Sequence, residues 1–295
     1  MSKHEMSSSP PWRDPAAYLR SLLILGRTSN LPTVWSNCLA GWLLGGGGQW
    51  GKLGFLFVGA TLVYWGGMFL NDAFDAEFDR AHRPERPIPS GQIERNEVWI
   101  WGFAWLGLGM LCLLVLGSMT APWVALLVFT ILAYDALHKW FVLSPVLMAA
   151  CRVWLIVLAA STGGDGVTGH ALWSALAMGA YIAGLSYLAR KESGGVLIRR
   201  WPLLLLAVPI LFALLINGPG YRGLAILCSI VVAGWCVGCL RWSFWRQPPQ
   251  VGKSVAGLLG GIPLVDCLST CGQGWWLFAA CFALALWFQK RIPAT

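Results

Sequence analysis

Charge is what this sequence has least of. Asp, Glu, Lys and Arg make up only 12% of the residues, about half the roughly 25% usual in a soluble domain. With 57% hydrophobic residues and a mean hydropathy of +0.63, the chain is excluded from the ordinary soluble class and placed with membrane proteins. It also lacks any polar stretch long enough to fold by itself, which excludes a second, soluble domain. Residues 1–15 contain Ser and Pro but no apolar core of the kind a cleaved signal peptide needs. They read as a disordered tail ahead of one transmembrane domain over 16–295.

The nine cysteines lack the company that chemistry would require. Cys236-Val237-Gly238-Cys239 has C-x-x-C spacing, but no second pair or His cluster lies near it and it falls inside an apolar run. There Cys acts as a small hydrophobe rather than a zinc or redox ligand. The net charge of +8 does not point to nucleic acid either. Its basic residues sit in loops between apolar segments, which is the distribution of a topology signal.

What is present is a series of apolar segments at about 21–45, 53–77, 97–118, 121–140, 144–161, 172–190, 201–217, 222–241, 252–269 and 274–289. Most are long enough to cross ~30 Å of hydrocarbon at ~1.5 Å per residue. The expected fold is therefore all-α: a polytopic transmembrane bundle of nine to ten spans. With the N-terminus inside and ten crossings, Arg80, Arg83, Arg86, Arg95, Lys139, Arg190, Lys191, Arg241, Lys253 and Lys290 collect on the cytoplasmic side, and only Lys52 and Arg222 remain opposite. This asymmetry orients the chain and puts both termini inside. Arg152 and Asp266 fall within spans, where an isolated charge is costly; they either pair with each other or line a cavity.

One segment carries an unmistakable chemical pattern. The second span runs into Asn71-Asp72-Ala73-Phe74-Asp75-Ala76-Glu77-Phe78-Asp79. Asp72, Asp75 and Asp79 recur at i, i+3 and i+7, so they share one helical face, flanked by Asn71. Stacked carboxylates repel unless a cation lies among them, and acids at a helix C-terminus oppose the macrodipole, so stability does not explain them. A hard divalent ion such as Mg²⁺, which takes one or two carboxylates and completes its sphere with water and phosphate oxygens, does. Immediately downstream, Arg83-Pro84-Glu85-Arg86-Pro87-Ile88-Pro89-Ser90-Gly91 offers forked donors on a proline-stiffened loop, suited to phosphate.

Asn-Asp-x-x-Asp-x-x-x-Asp followed by Arg-Pro-x-Pro-Ser-Gly resembles the first aspartate motif of the UbiA superfamily of intramembrane prenyltransferases. Tyr134 and Lys139, at the end of the fourth span, resemble the family's Tyr and Lys at that place. Gly26-Arg27-Thr28-Ser29-Asn30-Leu31-Pro32 resembles its Arg/Asn-Pro element. The resemblance implies a ring of helices around a central cavity and Mg²⁺-dependent transfer of an isoprenoid group from a prenyl diphosphate to a lipophilic or aromatic acceptor. It implies catalytic roles for Asn71, Asp72, Asp75, Asp79, Tyr134 and Lys139, with the metal on Asp72, Asp75 and Asp79. Substrate-binding roles fall to Arg27, Asn30, Arg83, Arg86, Arg190, Lys191 and Glu192. Besides these substrates, the expected partners are membrane lipids, in a bacterial inner membrane with the site on its cytoplasmic face. The family's second aspartate motif should fall in 186–193, yet only Glu192 is acidic there. Either Arg190 and Lys191 neutralise the diphosphate in its place, or the chain is a non-catalytic carrier of isoprenoid or other lipophilic molecules. A CDP-alcohol phosphotransferase is the weaker alternative, because Asp72 and Asp75 are each followed by Ala rather than by the Gly its pattern needs.

Overall fold

The computed structural model describes residues 14–189, 200–216 and 222–292. The expected tail, except for Asp14 and Pro15, lies outside the described residues. So do Arg190, Lys191 and Glu192. Twelve helices follow in order: α1 (Pro15–Leu25), α2 (Leu31–Leu44), α3 (Trp50–His82), α4 (Arg95–Leu114), α5 (Ala121–Leu137), α6 (Ser144–Ser161), α7 (Gly169–Ala189), α8 (Pro202–Ile216), α9 (Arg222–Phe244), α10 (Val251–Gly260), α11 (Ile262–Ser269) and α12 (Trp275–Gln289). No strand occurs among the described residues.

Among the described residues all ten apolar segments are mainly helical, but two of them break. The first splits into α1 and α2 around Gly26 and Arg27, with Arg27 at φ 41 and a 3₁₀ turn over Thr28–Asn30. Pro32 cannot donate to a continuous helix, so the chain restarts there with Pro near the N-terminus of α2. The ninth splits at Gly261, two residues before Pro263, into α10 and α11. Seven helical stretches among the described residues are long and apolar enough to cross a bilayer, with Val251–Ser269 counted as one despite its break. The separate pieces of the first segment, and α8 and α12 with 15 residues each, fall short of the ~20 residues a perpendicular crossing needs. By contrast, α3 runs for 33 residues, about 50 Å against ~30 Å of hydrocarbon, so its last turns carry the acidic motif beyond the apolar layer.

Small residues set the helix spacing. Gly41 and Gly45 of α2 face the carbonyl oxygens of Ile156 and Ala160 on α6, where any Cβ would overlap them. A Cβ on Gly66 of α3 would lie 2.7 Å from the backbone nitrogen of Leu106 on α4, and one on Gly109 would lie 2.7 Å from that of Val63. Such close backbone approach is how helices associate where lipid removes the hydrophobic drive. The outward faces carry Phe103, Leu111, Phe129, Leu204 and Ile230, all exposed, as a lipid-facing surface should. Helices α2, α3, α5, α6, α7 and α10 enclose a cavity of about 660 Å³. It opens at the end where α3 and α5 finish and α6 begins.

Candidate active site

The acidic stripe of α3 does not act as one unit, and helical geometry explains why. Asp72 and Asp79 are seven residues apart and so nearly aligned, about 20° apart in azimuth, whereas Asp75 is turned about 60° from Asp72. Arg86, from the following loop, places Nη1 3.2 Å from Asp72 Oδ1 and 2.8 Å from Asp79 Oδ2. A second guanidinium reaches Asp72 from the break in the first segment: Arg27 Nη2 is 3.3 Å from Asp72 Oδ1 and donates to Asn71 Oδ1 at 3.2 Å. The left-handed backbone of Arg27, rare for a residue with a Cβ, is the strain that aims it there. Asp75 turns instead toward α5, where its Oδ1 meets Lys139 Nζ at 2.8 Å and His138 Nε2 at 3.2 Å. Burial disfavours the charged form of His138, just past the end of α5, but the hydrogen bond and charge of Asp75 outweigh it and raise its pKa.

The pair bridged by one cation is thus Asp72 with Asp79, through Arg86, and not Asp72 with Asp75. Among the described residues no three His, Cys, Asp or Glu side chains converge on one point. The mouth nonetheless fits a hard cation. Asp75 and Asp79 line the cavity, and Asp79 Oδ1 is buried without a hydrogen-bond partner. Oxygen donors of this kind suit Mg²⁺, which keeps open positions for phosphate.

The remaining residues singled out by sequence also gather here. Asn30, Arg83 and Tyr134 line the cavity with Arg27, Arg86 and Lys139. Tyr134 stacks on His138 with ring centroids 5.1 Å apart, and Lys139 Nζ sits 5.4 Å from the Phe78 ring centroid. Two residues escaped the sequence reading. His138 is one. The other is Asp135, which is buried, lines the cavity and accepts from Asn71 Nδ2 at 3.2 Å, leaving Oδ2 without a partner. An acid inside an apolar span is itself a signal of function and would have flagged Asp135.

Arg152 and Asp266 do not touch. Asn37 stands between them, accepting from Arg152 Nη1 at 2.7 Å and donating to Asp266 Oδ2 at 2.8 Å. Arg152 lines the cavity, while Asp266 is 1% exposed and also accepts from Ser36 Oγ at 2.6 Å.

Comparison with known proteins agrees with this architecture. A UbiA homolog from Archaeoglobus fulgidus, solved bound to GPP and Mg²⁺, superposes with a TM-score of 0.64 at 12% identity, covering 89% of this chain and 99% of that one. A digeranylgeranylglyceryl phosphate synthase structure superposes with a TM-score of 0.60 at 18% identity, covering 91% and 99%. In sequence, the digeranylgeranylglyceryl phosphate synthase of Ignicoccus hospitalis is 43% identical over 67 residues, 23% of this chain and 22% of that protein. That of Methanoregula boonei is 47% identical over 49 residues, 17% and 18%. The aligned stretches span about a fifth of the length of these curated relatives. The profile of the UbiA prenyltransferase family, however, matches residues 30–256, well over half of the chain. The chain belongs to the UbiA prenyltransferase family.

Proposed function

We propose that the protein transfers an isoprenoid group from a prenyl diphosphate to a lipophilic or aromatic acceptor, with Mg²⁺ as cofactor. The observation that carries this reading is the polarity of the cavity: Asp75, Asp79, Arg83, Arg86 and Lys139 share its mouth, and apolar side chains such as Val63, Leu127, Ile131 and Leu155 form its walls. A diphosphate belongs at the first and a prenyl tail along the second. Asp75 and Asp79 would hold Mg²⁺, which supplies charge neutralisation for the diphosphate. As the allylic C–O bond breaks, negative charge grows on the leaving group, and Arg83, Arg86 and Lys139 are the groups placed to stabilise it. Asp72 and Asn71 orient Arg27. The Tyr134 ring presents a π face to an allylic cation, and the apolar walls keep water from capturing it. The acceptor's nucleophile then forms the new bond to carbon.

Arg190 and Lys191 follow Ala189, which lines the cavity; we assign them, with Glu192, to the diphosphate in place of the second aspartate cluster. The names of the relatives support the transferase reading, one solved with GPP and Mg²⁺ and others named for a glyceryl phosphate product. The arginine-rich loops at the mouth support a site on the cytoplasmic face. The relatives are archaeal and lend no support to a bacterial inner membrane.

The test is purified protein in nanodiscs with Mg²⁺ and a panel of prenyl diphosphates, following diphosphate release and prenylated product. Release that disappears in Asp75→Asn and with EDTA supports the transferase. The lack of acidic residues at 186–193 other than Glu192 favours a second reading, a carrier that binds without turnover. Tight Mg²⁺-dependent binding with no release from any diphosphate would establish that reading instead.

A further inference from the structure

The mouth accounts for most of the cavity's charge but not for Arg152. It lies on α6 eight residues beyond Ser144, which lines the mouth, and so about 12 Å deeper. Val34, Tyr64, Cys151 and Leu155 line the same cavity. A guanidinium among such groups is costly and is retained where it has a task.

Its hydrogen bonds show which part of it is committed. Nη1 donates to Thr33 O at 3.1 Å and Asn37 Oδ1 at 2.7 Å, and Nη2 donates to Thr33 Oγ1 at 3.0 Å. A guanidinium has five N–H groups. The Nε–H and one Nη2–H remain, and among the described residues neither has a hydrogen-bond partner. These two point the same way along one edge of the planar group, the edge that takes a carboxylate or phosphate in bidentate fashion. No carboxylate makes an ion pair with Arg152 among the described residues. Asp266 offsets its charge at one remove, through the Asn37 amide. A direct pair would have consumed the fork; the amide stabilises the cation and leaves the edge free.

We propose that Arg152 is the anchor for the acceptor, and that the acceptor carries an anionic oxygen group, a carboxylate or a phosphate ester. This rests on the transferase reading, in which the diphosphate fills the mouth. The acceptor then lies between the two poles, anionic end inward at Arg152 and nucleophile toward the allylic carbon. Tyr64 and Asn30, both on the wall, offer further polar contact along its length.

The experiment uses the full-length protein in nanodiscs with Mg²⁺ and a prenyl thiolodiphosphate, whose C–S bond resists ionisation. Binding of benzoate, phenyl phosphate and benzyl alcohol is measured for the wild type, Arg152→Gln and Arg152→Lys. The wild type should prefer at least one anionic probe to benzyl alcohol by about tenfold or more. Arg152→Gln should bring the probes level while thiolodiphosphate affinity stays as in the wild type. Arg152→Lys, which keeps charge and loses the fork, should retain only part of the preference. Preference for benzoate alone identifies a carboxylate acceptor, for phenyl phosphate alone a phosphate ester. A wild type without preference overturns the proposal whether or not the variants fold, as does a folded Arg152→Gln that keeps it. Failure of the thiolodiphosphate itself to bind would instead count against the transferase reading, since the probes can be compared without it.

Discussion

Arg86 stands where a metal ion would be expected to act, and its removal separates internal from external neutralisation of the acids. Its Nη1 bridges Asp72 and Asp79, whose side chains are 7% and 3% exposed. Breaking a fully buried ion pair costs about 3–5 kcal/mol because the remaining charge is stranded. Here the penalty is smaller, since Asp72 keeps Arg27 at 3.3 Å and the cavity mouth admits water. Arg86→Gln should therefore destabilise the metal-free protein by about 2 kcal/mol, lowering Tm by roughly 3–6 °C, since a larger domain shifts less than the ~2–4 °C per kcal/mol of one of about 200 residues. Mg²⁺ should then stabilise the variant more than the wild type, because it no longer competes with a guanidinium for the same oxygens. The assay is thermal unfolding in nanodiscs across a Mg²⁺ titration. Equal melting temperatures without metal, together with an equal Mg²⁺ response, would refute the reasoning.

Other consequences are equally direct. Gly41→Ala should impair folding or lower Tm sharply, because the new methyl overlaps the Ile156 carbonyl, whereas Gly107→Ala, with nothing within 4 Å of its Cβ position, should be neutral or gain up to ~1 kcal/mol of helix propensity. Asp135→Leu leaves the Asn71 amide without its acceptor and should cost about 1–3 kcal/mol in denaturation, while Asp135→Asn, which keeps an accepting oxygen, should cost less. Asp75→Asn should weaken Mg²⁺-dependent binding of a prenyl diphosphate by tenfold or more in calorimetry, with the fold retained, since one of the two proposed metal carboxylates is lost.

Much of this protein was legible in one dimension. Apolar runs of membrane-spanning length dictate helix, because a backbone in lipid must satisfy its own hydrogen bonds. The i, i+3, i+7 acids and the proline-stiffened Arg loop announce a cation and phosphate site through their chemistry alone. Helical pitch even separates Asp75 from the Asp72–Asp79 line, although which cation each acid would meet is a matter of packing. Asp135 could have been read from its sequence as a functional acid, yet its partner Asn71 lies 64 residues away.

What tertiary structure decided was where helices break and what the buried charges face. Hydropathy averages over a window, so it passes through Gly26–Asn30 and Gly261 as if each segment were continuous. Only the packed bundle shows that the first break turns Arg27 onto Asn71 and Asp72. Arg152 and Asp266 looked from sequence like a pair or like two cavity residues. In the fold Asn37 holds them apart, leaving the arginine on the cavity wall and the acid buried behind it. The sequence by itself determined the membrane class, the helices and the acidic motif, because each follows from residue type and short-range periodicity. The partners of those acids come from the break between α1 and α2, the loop after α3 and the turn after α5, and only packing brings such segments within hydrogen-bond reach.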